Sequence, residues 1–84
     1  MDERFEKIVK DALKEIKRQD DKWGKDRKKH PLEWQCILLE EVGEVAKELC
    51  DNSFNAENLN NDYRDELIQV IAVSMQAILD FDNN

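Results

Sequence analysis

Asp62-Tyr63-Arg64-Asp65-Glu66-Leu67-Ile68-Gln69-Val70-Ile71-Ala72-Val73-Ser74-Met75-Gln76-Ala77-Ile78-Leu79-Asp80 is the stretch whose side-chain spacing decides the fold. Placed at 100° intervals on a helix, it carries two apolar faces. Tyr63, Leu67, Val70, Ile71, Ala77 and Ile78, continued by Phe81, form one; Ile68, Ala72, Met75 and Leu79 form the other. A narrow polar strip of Asp62, Glu66, Gln69, Gln76 and Asp80 separates them. A helix apolar on two sides has to be sandwiched, so one face is expected to take the rest of its own chain and the other a symmetry mate. The fold expected is therefore all-α, a three-helix protomer assembling into a helical-bundle dimer or tetramer.

Upstream, Phe5, Ile8, Val9, Ala12, Leu13 and Ile16 recur at steps of three and four with Lys, Glu and Asp between them, which predicts helix 1 over about residues 3–19. The following stretch, Gln19 to His30, is punctuated by Gly24 and followed by Pro31, and reads as a helix end plus an ordered connector. Pro31 suits a first helical turn, so helix 2 is expected from there to about Cys50, with the stripe Trp34, Ile37, Leu38, Val42, Val45 and Leu49. Asp51-Asn52-Ser53 breaks it, a polar loop follows, and helix 3 begins at Leu59 or Asn61 and runs to Asp80. Neither a repeat nor a low-complexity tract divides residues 1–84, which read as one domain.

An 84-residue chain hides a smaller share of its surface than a typical domain, and self-association is the simplest remedy for a marginal core. Its formal charge of −7 disfavours nucleic acid polymers and anionic membranes as partners. The charge is unevenly placed: residues 17–30 carry seven Lys/Arg against three Asp, whereas residues 31–84 carry two Lys/Arg against twelve Asp/Glu. Cys36 and Cys50 lie about 21 Å apart along one helix at 1.5 Å per residue, too far to pair with each other. With no secretory leader and no apolar run near 18 residues, a reduced cytoplasmic protein is expected.

The chemistry is expected where carboxylates meet apolar faces. Glu41 falls at the edge of the helix 2 stripe beside Trp34 and Leu38, with Glu44 and Glu48 adjoining and Glu40 farther out. Carboxylates crowded at a core edge repel one another unless a cation intervenes, and a hard divalent ion such as Mg²⁺ takes such oxygen ligands. The bland alternative is that Glu, a strong helix former, merely solvates a face. Gly43 favours the first account, since glycine inside a helix costs roughly 1 kcal/mol relative to alanine and suggests close approach by a helix or ligand.

Leu39-Glu40-Glu41-Val42-Gly43-Glu44-Val45, followed some twenty residues later by Asp65-Glu66-Leu67-Ile68-Gln69-Val70, resembles the MazG-like, all-α nucleotide pyrophosphohydrolases. Gln19 with Lys22-Trp23-Gly24, then His30-Pro31 and Trp34, is similar to the lead-in of small bacterial and phage members, so the resemblance covers about residues 15–78. That family holds Mg²⁺ with a Glu-x-x-Glu on one helix and a Glu-x-x-Asp on the next. The resemblance assigns Glu41, Glu44 and Glu66 to the metal, Mg²⁺ with Mn²⁺ as an alternative. Gln69 stands where the family usually has Asp, and Asp62 or Asp65 would be its substitutes.

The activity this resemblance implies is hydrolysis of a nucleoside triphosphate to the monophosphate and pyrophosphate, with Glu40, Glu41 and Glu44 as catalytic residues and Glu40 positioning water. From the residues themselves, Lys25, Lys28 or Lys29 of the basic connector are candidates for phosphate contact, with interaction with a helix C-terminus as the bland alternative; Trp23 and Trp34 are candidates for stacking on the base, with packing as theirs; and His30 is a weaker substrate contact that also suits a helix cap. Two rivals remain: a nucleotide-binding module that has lost turnover through Gln69, and a helical interaction protein whose acidic strips only solvate a bundle.

Overall fold

Local capping chemistry sets where the helices begin and end. The computed structural model describes residues 1–51 and 61–84, and within them three helices form: α1 (Glu3–Trp23), α2 (Pro31–Asp51) and α3 (Asn61–Asp82). The Asp2 carboxylate accepts the Arg4 backbone N–H at 2.7 Å and starts α1. His30 starts α2: its Nδ1 accepts the Leu32 N–H at 3.1 Å and its carbonyl accepts the Glu33 and Trp34 N–H groups, while Pro31 takes the first helical position.

Helix α1 runs four residues past the predicted end at 19. Asp20, Asp21 and Lys22 give no apolar periodicity, but the Lys17–Asp21 ion pair at 3.2 Å spans i to i+4 and the ladder continues to Gly24. There φ is 99°, a region where glycine is at ease, and the Gly24 N–H still donates to the Asp20 carbonyl at 2.8 Å. Helices α2 and α3 begin and end within two residues of expectation. The loop expected over 52–60, and Leu59 as a start for helix 3, lie outside the described residues.

The three helices run up, down and up. At one end Arg64 of α3 meets Asp11 of α1 at 2.7 Å; at the other, Asp80 of α3 meets Trp34 of α2 at 2.8 Å. Helix α3 packs on both α1 and α2, whereas α1 and α2 scarcely touch. The two outer helices therefore stand apart over α3, and a groove opens between them. A radius of gyration of 14.1 Å, against roughly 12 Å for a compact domain of this length, agrees with that splayed arrangement.

The buried apolar residues are Ala12, Trp34, Ile68, Ala72 and Val73. Ile68 and Ala72 of the second predicted face are buried, but Leu79 of that face is 53% exposed and the buried Val73 belongs to neither face, so the inward side of α3 is centred on the predicted polar strip, with Ile68 and Ala72 at its edge. Leu67, Ile78 and Phe81 of the first face stay exposed, as do Phe5 and Leu13 of α1 and Leu39 and Val42 of α2. The polar strip is the surprise: Gln76 and Asp80 are as buried as the core itself. Gly43 is not explained by close packing within the protomer, because a Cβ there would meet nothing within 4 Å among the described residues.

Candidate functional site

The groove between α1 and α2 has α3 as its floor and encloses about 500 Å³, a volume in the range of small-ligand sites. Helix α1 contributes Arg18, Gln19 and Trp23, and the connector Arg27 and Lys29. Helix α2 contributes Trp34, Ile37, Glu40 and Glu41, and α3 Gln69, Val73 and Gln76. Because α2 and α3 run antiparallel, the cleft has two chemically distinct ends. Glu40, Glu41 and Gln69 mark one, and Trp34 with Gln76 the other.

Acids converge at the first end. Glu41 is half-buried, and its carboxyl is pushed above the ordinary glutamate value first by burial, then by the charges of Glu66, Glu44, Glu15 and Glu40. Glu66, facing it from α3, is raised in the same way by burial and by Glu44, Glu48, Asp65 and Asp62. The family-like set Glu41, Glu44 and Glu66, with Asp62 nearby, thus forms one electrostatic neighbourhood, and Gln69 lines the cleft beside Glu41. Among the described residues, no three His, Cys, Asp or Glu side chains are drawn into a closed metal-ligating group. Hard oxygen donors are the type a divalent cation takes, but the described residues do not place three of them to hold one.

Helix α1 supplies two residues that periodicity did not single out. Arg18 grips Glu15 through Nε at 3.0 Å and Nη2 at 2.7 Å, which holds the Glu15 carboxyl below its ordinary range. Arg18 also lies near enough to Glu41 for the two charges to interact, so a guanidinium stands beside the acids at the cleft wall. The signal was present as an i, i+3 acid–base pair flanking Ile16, at the edge of the helix 1 stripe.

The second end is built around Asp80, which accepts the Trp34 indole Nε1–H at 2.8 Å and the Lys29 backbone N–H at 2.9 Å, with Lys28 Nζ 3.5 Å away. These donors, Trp34 foremost, hold its carboxyl below the ordinary aspartate value. They also lock the connector onto α3. Lys28 is spent on this contact and on the Asn83 carbonyl at 3.3 Å, and borders a separate cavity of about 360 Å³ rather than the cleft. Lys25 is exposed and lines neither space. Of the three connector lysines read as phosphate contacts, only Lys29 borders the cleft, joined there by Arg27, whose Nη1 donates to the Gln19 and Gly24 carbonyls at 3.1 and 3.0 Å.

The two indoles divide their roles. Trp34 is 7% exposed and fixed by Asp80, so it is wall; Trp23 is 66% exposed at the cleft edge, with Lys22 Nζ 4.9 Å from its ring. His30 is occupied in capping α2 and does not line the cleft. Glu40 and Glu44 are exposed, and only Glu40 of the two borders the cleft. Cys36 and Cys50 are both free and exposed. No helix among the described residues is long and apolar enough to cross a membrane.

No protein-family model matches the chain, and no curated protein or solved structure matches it.

Proposed function

We propose that the chain is a nucleoside triphosphate pyrophosphohydrolase of the MazG-like kind, dependent on Mg²⁺ and releasing pyrophosphate and a nucleoside monophosphate. The observation that carries this reading is one cleft with Glu41 on its wall, repelled by Glu66 and Glu44 that lie outside the lining, and with Arg18, Arg27 and Lys29 along its walls. A triphosphate alone would be repelled by the acids. A divalent ion held by Glu41, Glu44 and Glu66, with Asp62 close by, would offset both sets of charge and lower the pKa of a water.

The chain's own residues have separable tasks. Arg27 is already oriented by two backbone carbonyls and can meet phosphate oxygens with little further loss of freedom. Arg18, held by Glu15, stabilises charge developing on the leaving pyrophosphate. Glu40, exposed on the cleft wall, accepts a proton from the attacking water. Trp23 offers an accessible ring for base stacking, and Trp34 a rigid boundary. The exposed apolar residues Leu67, Ile78 and Phe81 give α3 a face for a second copy, in a dimer or larger bundle.

Gln69 favours a second reading, binding without turnover, because it brings a neutral amide to the cleft beside Glu41 where a carboxylate would strengthen the metal site. One assay separates the two: pyrophosphate release from a panel of nucleoside triphosphates, with and without Mg²⁺, for the wild type and Glu41→Gln. Mg²⁺-dependent release lowered about a hundredfold or more in Glu41→Gln is the expected outcome. Mg²⁺-dependent binding with no product would leave only the binding module, and neither binding nor product would end both readings.

A further inference from the structure

The outer side of α2 carries a pattern that neither the core nor the cleft uses. Leu32, Cys36, Leu39, Gly43, Ala46 and Cys50 recur at alternating steps of four and three, the spacing of a helix–helix seam, and all six are exposed. The seam lies roughly opposite the side, marked by Trp34, that packs on α3. Helix α2 has 21 residues and is about 30 Å long, so the seam runs along nearly all of it. Leu32 is 69% and Leu39 59% exposed, large apolar groups that pack on nothing in the protomer. One turn beyond Leu39, Gly43 has open space where a Cβ would meet nothing within 4 Å among the described residues. A glycine inside a helix costs roughly 1 kcal/mol relative to alanine, and a second helix arriving at that space would give it a use.

A second α2 laid antiparallel across the seam fits it in both size and charge. In one register Leu39 falls opposite Gly43 of the second copy, Leu32 opposite its Cys50 and Cys36 opposite its Ala46, so each leucine meets a small residue. A parallel pair would instead stack leucine on leucine and glycine on glycine. Along one flank of the antiparallel seam Glu33 meets Lys47 of the second copy, twice by symmetry, while Glu40 meets its counterpart near the two-fold axis. Two attractive contacts thus stand against one repulsive one. Along the other flank Val42, 46% exposed, meets its own counterpart.

We propose that α2 is the dimerisation helix of this protein: two copies associate antiparallel along the seam from Leu32 to Cys50, with Leu39 of each seated over Gly43 of the other. This surface is distinct from the exposed α3 residues Leu67, Ile78 and Phe81, and the proposal is independent of the nucleotide reading. It supplies covered apolar surface to a protomer of 84 residues whose buried apolar set, among the described residues, is limited to Ala12, Trp34, Ile68, Ala72 and Val73. Because Glu40 both borders the cleft and flanks the seam, the rims of the two clefts meet near the two-fold axis.

The test is sedimentation equilibrium of the reduced chain without metal or nucleotide, joined to crosslinking through its own cysteines. A reversible monomer–dimer equilibrium is expected for the wild type. Leu39→Lys should weaken it roughly tenfold or more. Lys47→Glu should weaken it roughly tenfold, and adding Glu33→Lys to that variant should restore it, because the swapped charges again meet across the seam. Cys36 and Cys50 are both free and exposed, and in this register Cys36 of one copy stands about 6 Å along the seam from Cys50 of the other. A short bismaleimide should therefore join Cys36 to Cys50 between copies, and serine at either position should stop the reaction. A wild type that stays monomeric at about 100 µM, a dimer unmoved by Leu39→Lys or Lys47→Glu, a loss that the double variant does not restore, or links joining like cysteines overturns the proposal. Should a variant lose its helical circular dichroism, the wild-type crosslink decides: Cys36–Cys50 links uphold the seam, and their absence refutes it.

Discussion

Glu41 and Asp80 are both carboxylates brought to helix interfaces of the same small bundle, and the chain treats them in opposite ways. Asp80 is surrounded by donors, from an indole, a backbone amide and a lysine, and its proton affinity falls. Glu41 is half-buried among other acids, and its proton affinity rises. A buried acid saturated with donors fastens structure together. Glu41 has the Arg18 charge within reach but more acids than bases around it, an imbalance of the kind that recurs at functional sites. The contrast sets a structural joint at one end of the cleft apart from the acidic end to which the proposed chemistry is assigned.

Removing the joint gives the largest expected effect. Asp80→Ala leaves the Trp34 indole N–H and the Lys29 amide without their acceptor and frees the connector from α3, and the melting temperature should fall by roughly 10 °C or more. Thermal unfolding followed by circular dichroism checks this, and a change of a degree or two would erase the distinction between the two ends. Trp34→Phe keeps an aromatic side chain but removes the indole donor and the volume of the second ring, so a loss of about 1–2 kcal/mol is expected in urea unfolding. Trp23→Ala should leave stability within about 0.5 kcal/mol, because that indole is mostly exposed, and should instead weaken nucleotide binding several-fold.

Stability against pH sharpens the comparison without any mutation. Glu41 and Glu66 have folded-state values above their ordinary 4.5, so the folded protein binds their protons more tightly and gains stability as pH falls from neutrality toward that value. Asp80 lies below its ordinary 3.8, so its contribution is intact above that value and is lost as pH falls further. Glu15, held below its ordinary 4.5 by Arg18, and Asp11, held below 3.8 by Arg64, act in the same direction as Asp80, so urea titrations should show a maximum on the acid side of neutrality and a decline that begins near the ordinary glutamate value. Saturating Mg²⁺ should flatten the rise by stabilising the ionised acids, while leaving the decline. The smallest effect is expected from Glu41→Gln, which should raise the melting temperature in Mg²⁺-free buffer by about 1–2 °C, modest because solvent screens a partly exposed group. A fall instead would mean that Glu41 is structurally satisfied.

Much of this architecture was legible from residue spacing. The two-faced wheel of α3 called for a sandwiched helix, and Ile68 and Ala72 are indeed covered by the chain's own helices. Pro31 marked the start of α2 because its backbone preference is local, whereas Gly24, read as punctuation within the connector, proves to be where α1 ends. Helix α1 outran its apolar pattern because ion pairing and a distant cap, not burial, sustain its last turn. Spacing singled out Glu41 and Glu66 as carboxylates adjoining apolar stripes, and the structure adds that the two charges repel each other. Arg18 and Arg27 reach the cleft only because α1 and α2 splay apart over α3, a tertiary outcome that periodicity on single helices does not encode. The same is true of the burial of Gln76 and Asp80, which the wheel placed in a polar strip but could not seal.

The most direct test of the two-ended account is a Mg²⁺ titration followed residue by residue in ¹H–¹⁵N spectra of the wild-type protein. Saturable shifts should cluster at Glu41, Gly43, Glu44 and Glu66 and be absent at Lys29, Trp34 and Asp80. No saturable shift at millimolar Mg²⁺, or shifts centred on the Asp80 joint, would contradict the assignment of the acidic end as the cation site.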